Sequence, residues 1–553
     1  MNRLTLASAI AISLGAAAIG CKRGTPSGAG SGSVEAAPVH EPGLTMSLGL
    51  AGDERAVDVE IHVAGPEVAK VRELVATRGW ADTHPLVAVR DLEVRDAAGA
   101  IEVKPAEDAG AFSRMELSRA PSGSELTLRY TARANAEVSR LALHRGVGGV
   151  SGVGHAFVVR PNMPGALPLT LRFHAGNLAS GAALVTSLDG KKSATVEDLA
   201  EAVYVAGPTR AEEMPTGDRA TIAFGSAIEG RAAIDVTTSV RSYALRAFAV
   251  TPDDLGGPVA LFVVGERDIG RDHDGAATGS ALAVWLDASR SLDGAAKVLI
   301  AHEAFHRIFG GALRVGIEGY EAAWFAEGFA THYARKALFD QGAIDADAFL
   351  ADVARADQEG VARAADRRAS EYWRGSRYAA NIDAAVRAKS SGARSLDDVV
   401  RALVTLAKKT PDAPLPVEAF RAAVTAEVGP DRERALWEAL ASKEPIDLAD
   451  GAFGPCFVRT VETKTTFELG FDAASLAGSP QIIRGTVPGS AAARAGVRDG
   501  ALVLKTNLRQ GKEIAASTTV QMLLSDARGK KNVSYRPAAT RKRTVFKPRP
   551  CKR

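Results

Sequence analysis

The chain has 553 residues, enough for about three or four domains of ordinary size, and its composition is that of a globular protein. Hydrophobic residues make up 46% and charged residues 24%, so several apolar cores can be filled. The net charge of +3 is small for this length and argues against a polyanionic partner such as nucleic acid. Composition alone leaves the class of activity open.

Residues 1–21 have the pattern of a bacterial export signal. Arg3 precedes an apolar run rich in small residues that ends at Cys21, and such a run is typical of a signal peptide rather than of a membrane-spanning helix. The segment 18–21 resembles the lipobox of bacterial lipoproteins, whose cysteine is lipidated after cleavage. An ordinary secretory signal with an incidental cysteine is the alternative. The resemblance implies export and a lipid anchor on the periplasmic or surface face of a bacterial membrane.

The next two segments differ in their patterning. Residues 22–44 are rich in Gly, Ser, Pro and Ala without periodicity, which predicts a flexible linker. Between residues 45 and 239, short stretches alternate apolar and polar residues, for example at 56–63, 126–131 and 169–173. Alternation of this kind predicts half-buried strands. We therefore expect an all-β, sandwich-like N-terminal domain over 45–239.

The pattern changes near residue 240. Apolar strands are expected at 259–264 and 281–286, followed by a helix over 293–309 with Asp293 as its N-cap and a second helix over about 321–339. A small sheet followed by helices predicts an α+β domain over 240–450. From 451 to 553, short strands and Gly-rich turns return and predict a third, β-rich domain.

The first of these helices contains the sequence HEAFH, from His302 to His306. Positions i and i+4 share one helix face, so His302 and His306 can bind one metal ion while Glu303 reaches a water on that metal. A catalytic zinc needs a third protein ligand, and Glu327 on the following helix is the candidate. A solvated helix acid is the alternative for Glu327. Gly328 in mid-helix indicates a close approach of two backbones.

Four segments together resemble landmarks of the bacterial glycyl aminopeptidase family, which belongs to the gluzincin metallopeptidases. Its members join an N-terminal β domain, a thermolysin-like catalytic domain and a C-terminal PDZ domain, and the resemblance covers most of the chain from about Leu44 onward. The segments are HEAFH, WFAEGFATHYA at 324–334, EYWRG at 371–375 and SLDDVVR at 395–401.

The resemblance implies a zinc peptidase in which His302, His306 and Glu327 bind Zn²⁺ and Glu303 is the general base. Tyr372 would steady the tetrahedral oxyanion, with a packing role as the alternative, and Arg374 stands where related gluzincins have Lys. In the family, a strand before the HExxH helix carries a Glu that holds the substrate α-amine. The corresponding residues 274–281 contain no Glu. Aminopeptidase and endopeptidase activity both remain open for a peptide or protein substrate.

The C-terminal segment resembles a PDZ domain. Leu469, Gly470 and Phe471 resemble the loop that receives a peptide carboxylate, and residues 487–497 resemble the PDZ signature. This implies a C-terminal peptide as a partner, and a structural module with a closed groove is the alternative. Cys456 and Cys551 are a candidate disulfide in an exported chain, against two unrelated thiols.

Two functions follow from these observations. One is an exported, lipid-anchored zinc peptidase. The alternative is a non-catalytic peptide-binding lipoprotein that keeps a degenerate peptidase scaffold.

Overall fold

The computed structural model describes residues 41–551 except for short gaps, so the predicted signal segment, Cys21 and most of the linker lie outside the described residues. The gaps are 51–55, 78–88, 110–111, 134–142, 147–148, 175–181, 216, 224–229, 256, 258, 267–272, 280, 288–291, 318–319, 363–366, 412, 443, 478 and 509–517. None of the helices in the described residues is long and apolar enough to cross a membrane.

The N-terminal region is built almost entirely from strands, as predicted. Its elements are β1 (Gly43–Leu50), β2 (Ala56–Ala64), β3 (Glu73–Thr77), β4 (Val89–Asp96), β5 (Gly99–Ile101), β6 (Val103–Pro105), β7 (Phe112–Leu117), β8 (Glu125–Arg133), β9 (His144–Gly146), β10 (Gly149–Val153), β11 (Val159–Pro161), β12 (Leu167–His174), β13 (Ala183–Thr186), β14 (Ser193–Ala194), helix α1 (Val196–Glu201) and β15 (Val203–Gly207).

These strands form one seven-stranded sheet and two four-stranded sheets. The large sheet has the order β14-β12-β1-β2-β8-β4-β5, and the smaller ones have the orders β13-β15-β10-β9 and β11-β3-β7-β6. The alternation read from the sequence places Val59, Ile61 and Val63 of β2 in the core, where each is at most 2% exposed. The three stretches quoted above fall in β2, β8 and β12.

The middle of the chain combines a five-stranded sheet with helices. Its elements are β16 (Thr209–Glu213), β17 (Arg219–Ala223), α2 (Gly230–Phe248), β18 (Ala260–Glu266), β19 (His273–Thr278), β20 (Ala281–Asp287), α3 (Gly294–Phe305), β21 (Gly316–Ile317), β22 (Tyr320–Glu321), α4 (Ala323–Asp340), α5 (Ala346–Ala362), α6 (Arg367–Lys389), α7 (Leu396–Ala407), α8 (Val417–Val428) and α9 (Pro430–Ala441).

The five-stranded sheet moves the boundary of this domain. Its order is β16-β17-β18-β20-β19, with β17, β18 and β20 parallel and β19 running antiparallel along the edge. The predicted boundary between residues 239 and 240 falls inside α2, and the sheet begins at Thr209, so this domain starts about 30 residues earlier than predicted. In the sequence, residues 209–223 look like the strands of the preceding domain. The pairing of β17 with β18 is a long-range contact that local patterning cannot show.

An apolar interface joins the N-terminal region to this sheet. Val153 and Val205 share a buried cluster with Phe262 and Trp285. Within that cluster, the Trp285 indole donates a hydrogen bond of 3.0 Å to the Ser151 hydroxyl. The outer face of the sheet is thereby covered, and the opposite face is left for the helices.

The last part of the chain forms a smaller β-rich module with its own core. Strands β23 (Phe457–Phe467) and β27 (Ala538–Pro548) make an antiparallel ribbon, and β24 (Leu502–Thr506), β25 (Val520–Asp526) and β26 (Gly529–Tyr535) make a three-stranded sheet beside the short helix α10 (Ala491–Ala495). Cys456 and Cys551 form a disulfide at the end of the ribbon, with their Cα atoms 5.1 Å apart.

Candidate metal centre

Two helices bring the HExxH residues and Glu327 together. Asp293 caps α3 by accepting a hydrogen bond of 2.9 Å from the Ala296 amide, as its position in the sequence predicts. The helix then carries His302 and Glu303 on its last turn, and His306 follows directly in helical conformation. Glu327 lies in the second turn of α4. The turn after α3 reverses the chain so that the two helices pack side by side.

Three ligand atoms converge on one point between these helices. The Nε2 atoms of His302 and His306 are 3.0 Å apart, and Glu327 Oε2 lies 3.4 Å and 3.2 Å from them. These are the side chains that could hold a metal ion among the described residues, and they are the ones predicted from HExxH and a distant glutamate. Two imidazole nitrogens and one carboxylate oxygen match the protein ligands of a catalytic zinc.

Contacts on the far side of each imidazole fix which nitrogen faces that point. His306 Nδ1 lies 3.2 Å from the Phe309 carbonyl, so it carries the proton and donates it. The Thr331 hydroxyl donates to the Glu327 carbonyl at 2.8 Å and therefore accepts from His302 Nδ1 at 3.1 Å. Both Nε2 lone pairs then point at each other and at a carboxylate. That arrangement is repulsive unless a cation lies between them, so the residues present fit a zinc ion.

Thr331 was not among the residues predicted from the sequence. It follows Glu327 by four positions on α4, so the two side chains share one face of the helix. A threonine at i+4 from a suspected carboxylate ligand is therefore the signal that could have found it. Its hydroxyl orients a metal-binding histidine, as partners behind metal ligands commonly do.

The charges of the centre shift the pKa values of two of the ligands. Burial favours neutral His306, but the carboxylates of Glu327 and Glu303 outweigh burial and raise the pKa of His306 to about 9. Burial raises the pKa of Glu327, and the two imidazoles overcome it and hold that pKa well below its usual value. Without metal, a proton on His306 thus supplies part of the positive charge that the cluster requires.

Glu303 lies beside the ligands and against the edge strand β19. Its carboxylate is buried and accepts a hydrogen bond from the Ala277 amide, and burial raises its pKa. A Cβ on Gly275 would come within 2.7 Å of Glu303 Cγ, so only glycine leaves room for this side chain. A buried carboxyl with a raised pKa is suited to take up a proton near neutral pH.

Tyr372 lies on α6 and stacks on His302, with ring centroids 5.7 Å apart and 21° between the ring planes. The phenol is therefore adjacent to the metal ligands, and its contact with an oxyanion stays a prediction. Arg374 points elsewhere. It donates hydrogen bonds to the carbonyls of Ala439 and Leu440 at 2.6 Å and 2.7 Å, at the end of α9. Its cation there complements the negative end of a helix dipole.

Two glycines set the distance between α4 and α6. A Cβ on Gly328 would lie 2.4 Å from the backbone of Gly375, and a Cβ on Gly375 would lie 2.0 Å from the Trp324 carbonyl. The close approach predicted from Gly328 is confirmed. Glu327 lies on α4 and Tyr372 on α6. The close approach of these two helices therefore fixes the distance between the phenol and the metal ligands.

The edge strand beside the centre has one acidic side chain, Asp274, and no glutamate. Asp274 Oδ1 accepts a hydrogen bond of 2.9 Å from the neighbouring Gly275 amide. Thr278, at the end of the strand, is only 8% exposed. Asp272, just before this strand, lies outside the described residues.

The predicted peptide-binding loop is part of the core of the C-terminal module. Leu469 and Phe471 are 8% and 5% exposed, and the Tyr535 hydroxyl donates a hydrogen bond of 2.8 Å to the Leu469 carbonyl. Gly470 has a φ of +82°, and a Cβ there would come within 2.7 Å of Ala492 on α10. The loop backbone therefore turns tightly over the short helix, while its two apolar side chains point inward.

Comparison with solved structures identifies a protein that shares the fold of most of this chain. An aminopeptidase N family protein from Idiomarina loihiensis superposes with a TM-score of 0.66 at 14% identity, over 91% of this chain and 98% of that one. The chain has the aminopeptidase N fold. At this identity the likeness concerns the fold alone. No family model matches the sequence, and no curated protein matches it either.

Two other structures are less similar. An M1 zinc metallopeptidase mutant of Deinococcus radiodurans bound to a Tyr-Ser-Ala substrate gives a TM-score of 0.42 at 14% identity, over 74% of this chain and 95% of that one. Native yeast LTA4 hydrolase gives 0.43 at 12% identity, over 72% and 67%. These values are too low to carry an argument. The aminopeptidase N fold and the His-His-Glu centre together confirm the predicted gluzincin-type zinc site.

Proposed function

We propose that this protein is a zinc-dependent peptidase that hydrolyses peptide bonds with an activated water. The observation that carries the proposal is the convergence of His302 Nε2, His306 Nε2 and Glu327 Oε2 within 3.4 Å of one another. Glu303 lies buried beside them. A binding protein has no need for a complete ligand set together with a base of raised pKa, and a hydrolase needs both.

Zinc held by these ligands would polarise the scissile carbonyl and lower the pKa of a water molecule. Glu303 would then take a proton from that water and return it to the leaving amine. Its hydrogen bond from the Ala277 amide and its contact with Gly275 hold it on the edge-strand side of the centre. Tyr372, stacked on His302, would donate its phenolic hydrogen bond to the oxyanion.

Reversible metal removal tests this function. The purified chain should contain about one zinc and cleave members of a random peptide library, chelation should abolish cleavage, and zinc should restore it. A protein that holds zinc in this site and cleaves no peptide would refute the peptidase and leave the non-catalytic peptide-binding alternative. Chelator-insensitive cleavage would assign the activity to a contaminant.

For the substrate, we propose that hydrolysis does not depend on a free α-amine. An ammonium group that loses water on binding needs a carboxylate partner. The edge strand carries Ala277 and Thr278 where the family resemblance calls for Glu. Paired peptides with free and acetylated N-termini should be cut at rates within about tenfold of each other. A tenfold difference in rate corresponds to a difference of about 1.4 kcal/mol in activation free energy. Cleavage confined to the free-amine peptide would establish an aminopeptidase.

For location, we propose an exported lipoprotein anchored through Cys21. The support is the apolar run that ends at this cysteine, with the Gly- and Ser-rich segment that follows it. Labelled fatty acid should be incorporated into the wild type and not into a Cys21→Ser variant, which should leave the membrane fraction. Labelling of the variant would exclude this anchor and favour an ordinary signal peptide.

For the C-terminal module, we propose that the 469–471 loop receives a peptide carboxylate. Within the described residues, the backbone amides of Leu469, Gly470 and Phe471 donate no hydrogen bond, and the Leu469 and Phe471 side chains are buried in the core of the module. A PDZ-like module would bind an extended peptide beside such a loop. Fluorescence anisotropy should show binding of peptides with a free carboxyl terminus and none of amidated ones. Equal affinity for both would leave only a structural role.

A further inference from the structure

A small cavity lies against another face of the segment that carries the metal ligands. Ala304, Arg307 and Ile308 line it from this segment, and Arg241 of α2 and Asp218 line it from the other side. Its volume is about 20 Å³, which is room for a single water-sized particle. Most of the wall is otherwise apolar, and its charged side chains among the described residues are these two arginines and Asp218.

The charges around this cavity do not balance. Asp218 and Arg241 are 2% and 7% exposed, and Arg241 pairs with Asp218 Oδ1 at 3.1 Å. Arg307 adds a second, partly buried guanidinium. Arg241 and Arg307 line the same cavity, so their two guanidinium charges repel each other. Among the described residues that line the cavity, one carboxylate thus faces two cations.

The hydrogen bonds show the same imbalance. The terminal nitrogens of Arg307 donate to the carbonyls of Gly279 and Leu255, and those of Arg241 donate to Gly257 at 3.3 Å and 3.4 Å. The Nε–H of each guanidinium is buried without an acceptor among the described residues. A buried donor without an acceptor is destabilising, and more so when it is charged. The site therefore offers two donors and one surplus positive charge.

We propose that this cavity binds one small monovalent anion of the halide class, chloride under ordinary conditions. The surplus charge selects an anion over water or a cation. The small size of the cavity favours a halide over the bulkier phosphate, sulfate and carboxylate anions. A chloride here accepts from the Nε–H groups of Arg241 and Arg307 and so links α2 to the residue that directly follows His306. Halide binding then stabilises the packing behind the metal ligands.

Crystals of the zinc-loaded protein grown in bromide test the position of the anion directly. An anomalous peak in the cavity between the two guanidiniums is the expected result. Water in the cavity with no anomalous signal would overturn the proposal. This experiment needs no variant, so it decides the question even where a substitution prevents folding.

Thermal unfolding tests the energetics. At constant ionic strength, replacing gluconate by chloride should raise the melting temperature of the wild type and the effect should saturate. At ten times its Kd the anion multiplies the folded-to-unfolded ratio about elevenfold, which corresponds to about 3–6 °C for a domain of 150–250 residues. A shift that is absent, or that grows linearly without saturation, would contradict a specific site.

Substitutions test which residues are responsible for the chloride-dependent rise in melting temperature. Arg307→Gln removes the surplus charge and keeps the Arg241–Asp218 pair, so it should lose the chloride-dependent part of the melting temperature. Arg307→Lys should retain part of it. Arg231→Gln is the matched control, because Arg231 lies on the same helix α2 with its side chain 67% exposed. If Arg307→Gln keeps the full chloride shift, the anion does not bind between these arginines.

Discussion

The two sides of the metal centre differ in how many of the expected functional residues they contain. On the helix side, His302, His306 and Glu327 converge, and Thr331 sets a histidine tautomer behind them. On the strand side, β19 contributes Gly275, which makes room for Glu303, and ends at Thr278 without a glutamate. All three predicted zinc ligands are in place, while the strand lacks the glutamate that the family resemblance calls for. The residues expected to cleave the bond and those expected to select the substrate therefore belong to different elements of this site.

The largest expected effect comes from removing a metal ligand on the helix side. Glu327→Gln removes the anionic ligand and should lower zinc content from about one per chain to less than about a tenth, with peptide hydrolysis lost in parallel. Metal analysis by mass spectrometry and a peptide assay measure both. Glu418→Gln, on the exposed surface of α8, is the matched control and should change neither. A Glu327→Gln protein with full zinc and full activity would exclude this residue as a ligand.

Removing the phenol next to the ligands should come second. Tyr372→Phe keeps the ring that stacks on His302 and loses the hydroxyl. If that hydroxyl steadies the oxyanion, kcat should fall about 10²–10³-fold while zinc content stays constant. Steady-state kinetics with metal analysis would separate the two quantities. An unchanged kcat would assign Tyr372 a packing role.

On the strand side, Gly275→Ala should have a smaller effect. The added Cβ would meet Glu303 Cγ at 2.7 Å, so the base must shift, and a displacement of about 1 Å can cost about 10²-fold in rate. Zinc content should stay at about one per chain. Gly49→Ala is the control, because its added Cβ meets ordinary contacts from 3.6 Å outward. Wild-type kcat in Gly275→Ala would show that β19 does not position Glu303.

The weakest effect concerns the proton that competes with zinc. With a pKa of about 9 in the metal-free centre, His306 is protonated at neutral pH and must lose that proton to bind metal. Zinc affinity should therefore increase about tenfold per pH unit between pH 7 and 8 and level off above pH 9. Competition with a metal-binding dye at several pH values measures this slope. Affinity independent of pH over that range would contradict the strong coupling of His306 to Glu327 and Glu303.

The helix side was predictable because its residues follow local spacings in the sequence. The i, i+4 histidines, the Asp293 cap and the mid-helix Gly328 each depend on a few neighbouring residues. The strand side was not, because the contact of Gly275 with Glu303 joins β19 to α3 through the tertiary fold. The same reason explains the early start of the catalytic sheet, since β17 finds its parallel partner β18 across the whole of α2.

Export, the lipid anchor and the peptide-binding loop stay predictions from the sequence. The described residues do not include Cys21, and the geometry of the 469–471 loop suits peptide binding without showing it. The buried arginines were missed for another reason. Arg241 and Arg307 look like ordinary surface cations in sequence, and only folding brings them to one cavity with a single acid.

The most direct measurement compares the wild type with Glu303→Gln. The amide keeps the shape of the side chain and leaves all three ligands intact, so zinc should stay at about one per chain. Peptide hydrolysis should fall about 10²–10⁴-fold, because the group that accepts the proton is gone. Equal activity of the two proteins at equal zinc content would show that Glu303 is not the base and would contradict the proposed mechanism.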